Sequence, residues 1–203
     1  MKKIFSSFLV VAMMLAVAGV AKADSDLNQT DGVATVNIPV SLDIDSTISL
    51  ACDNSVTMGA IPGVGTSVLD TNSATCNVST NNSLGYELTW AAASTNMVNA
   101  NGDTIASYTE AVAGAPEAWS VAAADSEWGA TVDGDDADAA YAAGTLYTAV
   151  PTAADVIATR GTETGLGFDG IDTILTFEAT VGANHWQPTG TYTNSITMTA
   201  TTL

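Results

Sequence analysis

The chain has 203 residues, 4 Lys+Arg against 22 Asp+Glu, one His and a formal net charge of −18; 47% of its residues are hydrophobic and 13% charged. Such hydropathy excludes a disordered chain of low apolar content. The lack of any basic stripe excludes nucleic acid and anionic membrane surfaces as partners.

The opening Met1-Lys2-Lys3 is basic, Phe8 to Val20 is an apolar run, and Ala21-Lys22-Ala23 has the small-x-small form of a cleavage site. That order predicts a secretory signal peptide over residues 1–23. The run is short for a span, so no membrane span is expected after cleavage. The mature chain would then lie at the cell-envelope surface or outside the cell. Lys2, Lys3 and Lys22 leave with the leader, so Arg160 alone stands against all 22 acids. Without a Lys, neither a Lys–Asn isopeptide bond nor polymerisation through a subunit Lys can form. Cys52 and Cys76, an even pair in an exported chain, are expected to form one disulfide.

Residues 24–32 are polar and read as a lead. From Val36 apolar residues fall on even positions (Val36, Ile38, Val40, Leu42, Ile44, then Ile48, Leu50, Cys52). Period two predicts one half-buried strand, or two broken near Asp45-Ser46. Pro39 confines its part to an edge or a bulge. Met58 to Gly65 is turn chemistry. Thr75 to Val78 resumes a strand, Asn81-Asn82-Ser83 turns, and Leu84, Tyr86, Leu88 and Trp90 alternate again. Residues 91–154, rich in Ala, Asn, Asp, Gly and Ser, read as a loop-rich acidic insertion with short strands. A helix over 136–143 is an alternative there. Ile171, Thr173, Leu175, Phe177, Ala179 and Val181 alternate on odd positions, and Tyr192, Ile196, Met198 and Ala200 on even ones. Strands at both ends with turns between them predict a single all-β domain over 24–203, an antiparallel sandwich.

Cys52, the Met58-Gly59-Ala-Ile-Pro-Gly63 segment, Thr75-Cys76-Asn-Val78, Gly85-Tyr86-Glu-Leu88 and the closing Thr189-Gly190-Thr191-Tyr192-Thr193-Asn-Ser-Ile196-Thr197-Met198-Thr199 occur in a telling order. Over about residues 48–90 and 171–203 the chain resembles the secreted β-sandwich families of bacterial fimbrial subunits and spore-coat-U-type proteins. The resemblance implies an immunoglobulin-like fold and a structural or adhesive cell-surface subunit that associates with itself or with other surface subunits. It also implies assembly through a donated strand, for which Val36, Ile38, Val40 and Leu42 have the required alternation. The same residues would equally serve as the first strand of their own domain.

No nucleophile–base pairing is legible, so a non-enzyme is expected. His185 sits in Asn184-His185-Trp186-Gln187-Pro188, a loop, with both Cys committed to each other. Asp133, Asp135, Asp136 and Asp138 form a candidate calcium loop. Counted from Asp133, an EF-hand's sixth and twelfth positions hold Asp138 and Gly144, so that motif fails, and a solvated acidic loop is the alternative; no other cofactor is implied. Trp119 and Trp128, in the loop-rich middle, are candidate glycan contacts. They define a second hypothesis, a soluble secreted carbohydrate-binding module with a glycan or host-surface receptor as partner. Packing of the insertion onto the sandwich is the structural alternative.

Overall fold

A computed structural model describes residues 35–69, 73–164 and 170–203. The predicted leader and the polar lead fall outside the described residues. Two units are distinguished, Met1–Asp43 and Ile44–Leu203. In the first, residues 35–43 are exposed and carry no strand.

The second unit is all-β, with two facing sheets. Its strands are β1 (Ile48–Cys52), β2 (Thr66–Leu69), β3 (Ala74–Thr80), β4 (Tyr86–Ala92), β5 (Met97–Val98), β6 (Thr104–Ser107), β7 (Ser126–Gly134), β8 (Asp155–Arg160), β9 (Ile171–Val181) and β10 (Ile196–Thr202), with a 3-10 turn at Ala139–Tyr141. The larger sheet runs β1-β3-β9-β7-β6-β5, with β2 also pairing β9; the smaller runs β10-β4-β8. Pairing is antiparallel except between β6 and β7, which run parallel and depart from the expected all-antiparallel pattern.

The alternation of β3 and β4 decides which faces meet. Cys76, Val78, Tyr86, Leu88 and Trp90 point inward and are fully buried, while the residues between them are half-exposed. Trp128, Ala130 and Val132 from β7 and Leu175, Phe177 and Ala179 from β9 complete the core. Burying each such side chain contributes roughly 1.5–3 kcal/mol. In the turn before β4, Gly85 takes φ +82°, and a Cβ there would lie 1.9 Å from the Arg160 carbonyl oxygen.

Two expectations are corrected. The even-numbered run from Val36 does not make a continuous strand, since pairing begins only at Ile48. The middle of the chain is not merely an insertion: it supplies β7, which pairs β9 over nine positions in the larger sheet. Its first seven residues are all buried because the remaining middle segment lies on its outer face. Tyr108 stacks on Trp119 at 4.4 Å, and Trp119 meets Tyr147 edge-on at 5.4 Å. The pad fits because residue 129 is glycine. A Cβ there would sit 2.8 Å from the Thr148 carbonyl and 2.9 Å from the Trp119 ring.

The free edge of β8 is closed by residues 136–138. Thr159 N–H donates to the Asp136 carbonyl, and Asp138 N–H donates to the Ile157 carbonyl. Among the described residues, no strand pairs with the outer edge of β1 or of β10.

Candidate functional site

The two unpaired edges flank a trough. On the β1 side its wall is Cys52 to Val56 and Met58; on the other it is Asn194, Ser195, Ile196 and Met198. Trp128, Leu175 and Phe177 lie beneath, around a cavity of about 310 Å³. A second cavity of about 740 Å³ shares Val56, Met58 and Met97 with the first and continues between Gly59–Gly63 and Trp186–Thr193. Inward-facing Ile48, Leu50 and Cys52 on β1 and Ile196, Met198 and Ala200 on β10 are only half-buried, although they pack on the core. A sandwich closed on this side would bury them as fully as it buries their counterparts on β3 and β4.

Both walls are tied down. Cys52 and Cys76 stand opposite each other across β1 and β3 and form the predicted disulfide. Just before β1, Thr47 N–H donates to Asn81 Oδ1 at 2.7 Å and Asn81 Nδ2 donates to the Asp45 carbonyl at 3.1 Å. The opposite wall hangs on Gln187, which is buried. Its Oε1 accepts from the Ser126 hydroxyl at 2.6 Å, and its Nε2 donates to the Thr104 carbonyl at 3.0 Å and to the Tyr192 hydroxyl at 2.7 Å. His185 joins this network, with Nδ1 2.9 Å from the Ala124 carbonyl and Nε2 3.2 Å from Gln187 Oε1. Both of its ring nitrogens thus face amide oxygens.

The trough is electrically quiet in a strongly acidic chain. Of the residues lining the two cavities only Asp53 is charged, and its Oδ2 accepts from Thr75 N–H at 2.9 Å. The candidate assembly residues Val36, Ile38, Val40 and Leu42, and Ile44 after them, are apolar and open to solvent. They are 75–90% exposed and lie in no strand.

The other candidates are dispersed. Trp128 is 2% exposed and its Nε1 donates to the Thr95 carbonyl, so it is core and not a glycan contact. Trp119 is committed to the aromatic pad, with Nε1 donating to Thr180 Oγ1 at 2.8 Å. The exposed indole is Trp186, at 82%, on the rim of the larger cavity. The sequence reads there as a loop before the last strand, which by itself does not set Trp186 above Trp119 and Trp128 as a glycan contact.

The acidic loop is spent on local structure. Asp133 Oδ1 accepts from Gly134 N–H, and Asp138 Oδ1 from Ala140 N–H. Asp136 accepts from the Tyr86 hydroxyl at 2.8 Å and pairs with Arg160 at 3.1 Å. Burial, reinforced by Asp136, pushes the Tyr86 phenol well above its usual range. Asp135 is exposed. No group of three or more His, Cys, Asp or Glu stands in position to hold a metal ion among the described residues. The same residues contain no helix long and apolar enough to cross a membrane.

No protein-family model matches the chain, and no curated protein matches it in sequence.

Proposed function

We propose that the chain is a secreted structural subunit of fimbrial type, assembling head to tail as the segment Val36–Ile44 of one copy fills the trough of the next. The observation that carries this reading is the pairing of opposites in one chain. Five alternating apolar side chains stand exposed without a strand partner, and an apolar trough lies between two unpaired strand edges. An added strand gains main-chain hydrogen bonds from an edge and side-chain burial from the trough, the two terms of strand-addition recognition. Nine residues of strand span about 26 Å. Each buried Val, Ile or Leu contributes roughly 1.5–3 kcal/mol before the cost of ordering the segment.

The acid excess sets a condition on assembly. Copies carrying so many carboxylates repel one another, so association strengthens as salt or a divalent cation screens them. The test is light scattering on a sizing column, with the mature chain compared to a form lacking residues 24–43, in EDTA and in millimolar Ca²⁺. Large assemblies that vanish on truncation support the reading. A monomer in every condition refutes it. That second outcome would favour a carbohydrate-binding module, for which the exposed Trp186 beside the larger cavity supplies the stacking surface.

A further inference from the structure

Apart from three methionines in residues 1–23, the chain has three: Met58, Met97 and Met198. All three line the trough. They come from separate parts of the chain, namely the wall after β1, strand β5 and strand β10. Each is half-buried and lines the open trough. Both cysteines are oxidised already.

Unbranched, polarisable methionines suit a surface that must adapt to an incoming row of aliphatic side chains. They carry a liability in the same place. We propose that the trough is a peroxide-sensitive site, and that converting Met58, Met97 and Met198 to sulfoxides closes it to the incoming segment. The proposal rests on the assembly reading above. In each conversion the sulfur takes one oxygen from a hydroperoxide. An S–O bond forms, the O–O bond breaks, the sulfur loses two electrons, and the peroxide leaves as water or alcohol. The product is polar, and seating an aliphatic strand over it strands a dipole without a hydrogen-bond donor. The segment Val36–Ile44 contains no methionine and is untouched by the reaction. An oxidised copy therefore still donates its strand but no longer accepts one, and it stops growth at one end only.

The experiment uses the full mature chain. Millimolar hydrogen peroxide is added until the intact mass has gained three oxygens, and peptide mapping places them. Assembly is then read by light scattering. The assembled fraction should fall roughly tenfold. Recovery is expected after treatment with methionine sulfoxide reductases. The triple variant Met58→Leu, Met97→Leu, Met198→Leu, close to volume-conserving, should assemble and ignore peroxide. Oxidised chain that assembles like untreated chain overturns the proposal, as does a leucine variant that peroxide disables equally. Untreated chain that never assembles overturns the assembly reading itself, and this proposal with it.

Discussion

Replacing both Cys52 and Cys76 with Ala removes the one covalent tie between β1 and β3. The two residues are separated by 24 positions. Freeing a loop of that length in the unfolded chain costs the native state roughly 3.5 kcal/mol by the chain-entropy relation. The native geometry adds little further cost, because β1 keeps its five-residue ladder with β3. For a domain of this size each kcal/mol moves the thermal midpoint by about 2–4 °C, so a fall of roughly 7–14 °C is expected. Differential scanning calorimetry of the double variant measures it. The oxidised wild type in reductant should shift by the same amount, which separates the crosslink from the lost sulfur atoms. The urea m-value should rise in the variant, since an uncrosslinked unfolded chain exposes more surface. A midpoint within about 2 °C of wild type would refute the reasoning. It would mean that the unfolded ensemble already holds these strands together.

Three further outcomes follow from the same geometry. Gly85→Ala places a Cβ against the Arg160 carbonyl at a positive φ, and a loss of at least about 2 kcal/mol is expected in urea melts. Arg160→Gln leaves the Asp136 carboxylate, whose side chain is 10% exposed, without its cation; about 2–3 kcal/mol should be lost, between the values for surface and buried pairs, and an unchanged urea midpoint would contradict this. Glu127 is buried beneath the insertion, and that burial raises its carboxyl above the usual carboxylate value. With the folded value above the unfolded one, its contribution is fully present below the unfolded carboxylate range and is lost as pH rises through the folded value. The stability of Glu127→Gln relative to wild type should therefore improve from pH 4 to pH 7, and a pH-independent difference would refute the assignment.

Alternation made β3, β4, β9 and β10 readable, because each shows one face to the core and one outward. β7 escaped for a physical reason. Both of its faces are covered, so burial does not alternate along Ser126–Val132; its apolar run Trp128, Ala130, Val132 is short and set among turn residues, and Gly129 looks like a loop residue until the aromatic pad above it is seen. Val36–Ile44 misled in the opposite sense: periodicity reports a two-faced segment, not the presence of a partner. The disulfide was legible from the even cysteine count and the expected export. The trough was not, since its walls come from residues 52–63 and 186–198, and nothing local in either stretch reveals the other. Tryptophans were misjudged by neighbourhood. Trp128 lay among turn-rich sequence yet belongs to a central strand, whereas Trp186 is the one left in solvent.

The short clasp of residues 136–138 over β8 has a geometric consequence of its own. A bare outer strand invites its like from a neighbouring molecule, and sheets joined that way broaden without limit. Here the ladder stops inside the molecule. Ala137 bridges to Ala158, and on either side the Thr159 N–H and the Ile157 carbonyl, two groups that a neighbour would need, are already bonded. Among the described residues the edge of the three-stranded sheet left without a partner is that of β10, so a sheet-to-sheet contact made there runs in a single direction.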